Sequence, residues 1–176
     1  MENYKELLAH FDKEDHRKKQ FLVDHLLDVS NLTKEIGSRV NMGNISELLG
    51  LFHDFGKYSK KFQLYIKGEY KGIVNHTSAG AAILEHIESI VKCRYKDKVN
   101  ISERVWKLYK EILQYPILSH HGLYDIIDRD FDYRTKIRIE YFDDKLEMEN
   151  ALYFLNFLNG EYVEVSQKSI YDLYLK

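Results

Sequence analysis

From Phe21 to Ile36 the apolar residues Phe21, Leu22, Leu26, Val29, Leu32 and Ile36 recur every three to five positions, a spacing that predicts a helix with one buried stripe. His25 falls on that stripe. Asn44 with Glu47 reads as a capping box ahead of Ile45, Leu48, Leu49, Leu51 and Phe52, with Gly56 as the residue that ends the helix. His53 and Asp54 are then expected in its last turn. A third helix is expected to start just after Asn75 or His76, because Ala79, Ala81, Ala82, Ile83, Leu84, Ile87, Ile90 and Val91 make an apolar face with small residues for close packing. Ser102 and Glu103 begin a fourth, carrying Val105, Trp106, Leu108, Tyr109, Ile112 and Leu113, which Pro116 is expected to kink before Ile117 and Leu118. His120 and His121 follow, stopped by Gly122.

Beyond Tyr124 the pattern weakens, although Glu147 to Leu158, closed by Gly160, and Gln167 to Leu175 predict two more helices. Strand signals are confined to Gly72-Ile73-Val74 and Tyr162-Val163-Glu164-Val165, enough for a minor hairpin. The expected fold is all-α, an irregular helical bundle. One proline and nine glycines in 176 residues leave no linker and little of the turn punctuation of an all-β fold, so residues 1–176 read as one domain.

The longest apolar runs, such as Leu48 to Phe52, fall far short of the roughly 18 residues of a membrane span, and Met1-Glu2-Asn3 lacks the basic start of a signal peptide. A cytoplasmic location without a membrane partner is expected. The single cysteine, Cys93, has no partner for a disulfide or a zinc knuckle, so any metal must rely on histidine and carboxylate. A net charge of -2 gives no bulk electrostatic sign of nucleic acid. Local basic clusters exist at Lys13, Arg17, Lys18 and Lys19, and at Lys57, Lys60, Lys61 and Lys67. Either group could neutralise phosphates, though solvated helix faces explain them as well.

Of eight histidines, His25, His53, His76, His120 and His121 occupy helix ends or an apolar helix face. Any one alone reads as a hydrogen-bonded core imidazole. Together they suggest shared cations, since a metal satisfies a ring nitrogen that apolar packing cannot. The neighbours His53 and Asp54 project about 100° apart on a helix and can reach two metal positions. A carboxylate can also bridge two ions about 3.5 to 4 Å apart, the arrangement that polarises a phosphate and acidifies water. Nitrogen-rich sets favour Mn, Fe, Co, Ni or Zn over Mg, which prefers oxygen. Lys57 would place a cation beside the phosphate as its charge develops. His10, His16 and His86 lie among charged residues and read as surface histidines. Gly50 to Lys57 is not a P-loop, because five residues separate Gly50 from Gly56 and Tyr58 stands where Ser or Thr must bind magnesium.

The ordered strings Phe21-Leu22-Val23-Asp24-His25-Leu26, Leu51-Phe52-His53-Asp54-Phe55-Gly56-Lys57 with Phe62-Gln63, Asn75-His76 before Ser78-Ala79-Gly80-Ala81, and Ser119-His120-His121-Gly122 resemble the HD superfamily of metal-dependent phosphohydrolases. More narrowly they resemble the HD nuclease domain of the CRISPR-associated nuclease-helicase of type I systems, over roughly residues 7 to 123. That resemblance implies an all-helical, two-metal domain that cleaves single-stranded DNA during interference. His53 and Asp54 would touch the metals centrally, with His76, His120 and His121 on one ion and His25 near the other. Lys57 matches the lysine after the family's HD pair. The family's late aspartate has no convincing counterpart: Asp172 does not match its motif, and the ligand is left to be found, in this chain or beyond Lys176. With no helicase part in these residues, the resemblance suggests a helicase domain or subunit and an RNA-guided targeting complex as partners.

Two other readings stay open at this level. One is an HD phosphohydrolase of a small nucleotide or cyclic dinucleotide, which needs a closed pocket rather than an open basic groove. The other is a non-catalytic, metal-stabilised interaction module.

Overall fold

The computed structural model describes residues 4–82, 84 and 102–122. Strands β1 (Leu8–Phe11) and β2 (Lys19–Phe21) form an antiparallel hairpin. Helices α1 (Leu22–Ser38), α2 (Gly43–Phe52) and α3 (Lys60–Ile66) follow, with a 3-10 turn, Phe55–Tyr58, between the last two. Helix α4 has described residues 77–82 and 84, and α5 runs Glu103–Ser119. The all-α expectation holds, with one hairpin beside the helices. The expected helices at Glu147 to Leu158 and Gln167 to Leu175, the strand candidate at Tyr162 to Val165, Cys93, His86 and Asp172 lie outside the described residues.

The hairpin is not where strand propensity pointed. Residues 72–74 form no strand, and Ile73 is almost wholly exposed. The observed strands carry few β-branched residues and are placed instead by burial of Leu7, Leu8 and Ala9 against the helices. Their loop is closed by Asp12, whose Oδ1 accepts the N–H groups of Glu14 and Asp15.

Helix α1 obeys its apolar period only in its first half. Leu22, Val23 and Leu26 are buried, whereas Leu32 and Ile36 are exposed. The second half packs through small residues. A Cβ on Gly37 would collide with Ser46, one on Gly43 with Ser38, and one on Gly50 with Ser30. This small-residue seam draws α1 and α2 together, and Lys34 closes it with a 2.8 Å ion pair to Glu47.

Helix α2 also departs from its expected ends. Its N-cap is Met42, without a side-chain cap, so Asn44 lies inside the helix and the capping box does not form. It ends at Phe52; His53 is the C-cap, and Asp54 turns out of helical geometry at φ -110° and ψ 21°. Gly56 serves close approach rather than termination. Its N–H donates to His76 O at 3.1 Å, and a Cβ there would strike the His76 backbone.

Around this junction Phe52, Phe55 and Tyr58 pack ring on ring, with successive centroids 5.3 and 5.2 Å apart. Helix α4 begins at residue 77, where Asn75 Oδ1 accepts the Thr77 N–H. It lies so near α2 that a Cβ on Gly80 would strike Phe52 O. Helix α5 is capped by Ser102, continues through Pro116, and joins α4 through Gln114 Nε2 donating to Ala81 O. Proline is tolerated there without ending the helix. Trp106, Leu113, Ile117 and Leu118 form its buried side, while Val105, Leu108 and Ile112, expected on the same face, are exposed. No helix among the described residues is long and apolar enough to cross a membrane.

The seam yields a test. In Gly50→Ala the new Cβ would lie 2.6 Å from Ser30 Cα, forcing α1 and α2 apart. The expected loss is about 1–3 kcal/mol, as for other overpacked contacts, read from the denaturant midpoint. An unchanged midpoint would show that the seam has room to spare.

Candidate metal centre

Four separate segments converge on Asp54, which the end of α2 projects inward. His25 arrives from the first turns of α1, His53 from the α2 C-cap, His76 from the residue before α4, and His120 and His121 from the end of α5. Asp54 itself is 4% exposed. Its Oδ2 lies 2.9 Å from His25 Nε2, 3.2 Å from His53 Nε2 and 2.8 Å from Lys57 Nζ. Its Oδ1 lies 3.2 Å from His120 Nε2 and 3.4 Å from His76 Nε2. His121 Nε2 is 2.7 Å from His76 Nε2.

The donors fall into two groups that share the carboxylate: Asp54, His76, His120 and His121 on one side, and His25, His53 and Asp54 on the other. All six metal-ligand candidates from the sequence therefore meet. Within the pair of groups, His53 belongs with His25.

The outer nitrogens test whether a cation fits. His53 Nδ1 is 2.8 Å from Gly50 O, and His120 Nδ1 is 2.7 Å from Ile117 O. A carbonyl only accepts, so each Nδ1 holds a proton, and in the neutral tautomer this leaves a bare Nε2 turned inward. Those bare nitrogens face carboxylate oxygens. Two acceptors at 3.2 Å repel unless a proton or a metal cation lies with them, and imidazoles fixed through backbone carbonyls are the usual outer support of a metal ligand. The residues present fit divalent metal.

Burial pushes the Asp54 carboxyl upward, but hydrogen bonds from His120, His25 and His53, made where their Nε2 atoms carry the intervening proton, outweigh it and hold the group far below the usual carboxylate range. Burial lowers His76, helped by Lys57, His121 and His120 against the pull of Asp54, to about 4. At neutral pH His76 is thus already an uncharged nitrogen donor.

Lys57 is not the solvated cation that its sequence neighbours suggest. It is buried, with Nζ donating to Ala9 O at 3.3 Å besides the Asp54 contact, and sits over the Phe62 ring. His10 was overlooked at the level of sequence. Its ring stands edge-on to His25, with centroids 5.1 Å apart, and burial, then Lys57 and His25, lower its pKa. His10 is exposed, as its charged neighbours indicated; what the sequence could not show is its contact with His25. His16 does keep a peripheral place, against Phe11.

A helical domain with a shared carboxylate between two histidine groups defines a metal-binding class of protein. The HD domain family model matches residues 22–139, and the chain belongs to that family. HD domains are generally metal-dependent hydrolases, and membership suggests a metal-dependent phosphohydrolase. No curated protein and no solved structure matches the chain.

The buried imidazole predicts a pH dependence. His76 titrates near 4 when folded against an ordinary 6.5, so the unfolded chain takes up the proton first. Metal-free protein should lose stability as pH falls from 6.5 to 4, and His76→Gln should flatten that slope in chemical denaturation. Asp54, depressed below its ordinary 3.8, adds a loss only in stronger acid. Equal stability at pH 6.5 and 4 would count against a neutral buried His76.

Proposed function

We propose that this chain is a metal-dependent phosphodiesterase that cuts single-stranded DNA, acting with a helicase and an RNA-guided targeting complex. The observation that carries the reading is the division of Asp54: one oxygen turned to His76 and His120, the other to His25 and His53. One carboxylate so placed can bridge two cations. The nuclease assignment draws further support from the four family-like strings and from an open groove beside the centre.

In this reading His76, His120 and His121 with Asp54 would hold one cation, and His25 and His53 with the same carboxylate would hold the other. When bound, a pair of divalent cations supplies Lewis acidity that polarises a phosphoryl oxygen and acidifies water. The protein's task is to fix the donors. Gly50 O and Ile117 O orient two rings, and Gly56 N–H holds the His76 backbone in place. Lys57 acts through Asp54: its ammonium keeps the carboxylate ionised and pointed, and adds positive potential beneath the phosphate. The side chains of His25, His53, His76 and His120 retain 12–18% exposure, so a phosphodiester can approach from outside.

The test is cleavage of linear and circular single-stranded DNA by protein loaded with Mn, Co, Ni or Mg. Cutting is expected, and it should vanish with a chelator. Asp54→Ala should lower kcat/KM by roughly a thousandfold, about 4 kcal/mol of transition-state stabilisation, while circular dichroism shows the fold retained. DNA left intact with every metal, beside hydrolysis of a nucleotide or cyclic dinucleotide, would replace this reading with a small-molecule phosphohydrolase.

A further inference from the structure

Next to the metal centre, on its His25 side, an open groove of about 490 Å3 is lined by His10, Phe11, Asp12, Lys18, Lys19 and Gln20. All six belong to the β1–β2 hairpin and its loop, and none is a donor of the two metal groups. His10 forms the common border, through its edge-on contact with His25.

Three features hold this border in place. The hairpin is pinned to the segment after Asp54, because Gln63 Nε2 donates to both Leu8 O and Lys57 O, Gln63 Oε1 accepts Leu8 N–H, and Lys57 Nζ donates to Ala9 O. The ladder also slips by one residue. Leu8 pairs with Phe21 but His10 with the very next residue, Gln20, so a bulge at Ala9 re-aims the strand toward the centre. Thirdly, the groove's one carboxylate, Asp12, has Oδ1 committed to two backbone N–H groups. Lys18 Nζ lies only loosely near acid, 3.9 Å from both Asp12 and Asp15, and Lys19 Nζ sits 5.3 Å over the Phe21 ring. Two ammonium groups and an imidazole are left to meet a ligand, beside the Gln20 amide and the Phe11 ring.

We propose that this groove is the subsite for the nucleotide adjoining the scissile phosphate of a single-stranded polynucleotide, with Lys18 and Lys19 meeting its phosphate and His10 positioning the strand beside His25. The inference rests on the phosphodiesterase reading and adds the path of the strand. Contacts of this kind fix register without reading base identity, as expected for a sequence-tolerant nuclease.

The test compares wild type, His10→Ala and Lys18→Ala/Lys19→Ala. A fluorescent oligothymidylate is bound in chelator at several salt concentrations, with circular dichroism as the control for folding. Metal content is measured after reloading, and hydrolysis is followed on the oligonucleotide and on bis(p-nitrophenyl) phosphate, which is too short to fill the groove. Loss of this phosphate contact should flatten the slope of log affinity against log salt by about 0.7, the contribution of one neutralised phosphate on a single strand. In both variants KM for the oligonucleotide should rise roughly tenfold more than KM for the small diester, a loss of binding rather than of chemistry. Unchanged salt slope and KM ratio in protein that cuts DNA would overturn the groove assignment alone. A fall in metal content in His10→Ala would overturn it too, by making His10 a ligand. Wild type that binds with the lysine-dependent slope but cuts neither diester would sink the phosphodiesterase reading and support the groove.

Discussion

A carboxylate almost out of reach of water must be compensated within hydrogen-bonding distance, and Asp54 meets that demand with four imidazoles and an ammonium. Everything around it can be read as the means of delivering those groups. Burial alone would favour the protonated acid; the opposing hydrogen bonds win, and the group stays ionised. Ring nitrogens that close to an ionised carboxylate need a proton or a cation between them, and that requirement is what fits the site for metal.

Delivery depends on close backbone approach. Asp54 sits at the end of a short helix, and its partners come from segments that must approach to within a side chain's length. Gly50 lets α1 lie against α2, Gly80 lets α4 meet Phe52 O, and Gly56 donates directly to the backbone of His76. A methyl group at any of these places would move a histidine away from the carboxylate. Glycine is therefore part of the site's geometry here, and Gly50 also touches a ring directly, its carbonyl accepting from His53 Nδ1.

The two donor groups are unequal. Three histidines share one carboxylate oxygen's side and two share the other, with Lys57 crowding the smaller group and the hairpin bordering it at His10. The same two residues, Lys57 and Gln63, tie the hairpin to the centre. The β1–β2 element is consequently held in register with the metal groups although it lies outside the helical bundle.

How much was legible in the chain follows from what local pattern can report. Periodicity and histidine placement gave α1, α5, the start near residue 77 and the six residues that converge on Asp54's surroundings, because each is marked by its own residue type and its immediate neighbours. The hydrophobic stripe overreached at Leu32 and Ile36, where a seam of Gly and Ser replaces it; small residues carry almost no hydrophobic signal, yet they set the distance between helices. The hairpin was missed since burial by distant helices, rather than β-branched propensity, makes it a strand. Sequence by itself determined the kind of chemistry, a histidine-rich set around one aspartate. Only the tertiary structure decided that His53 pairs with His25, that Lys57 is buried against Ala9 of the hairpin, and that His120 reaches Asp54, because these contacts join residues 28, 48 and 66 positions apart and depend on how closely their backbones can pack.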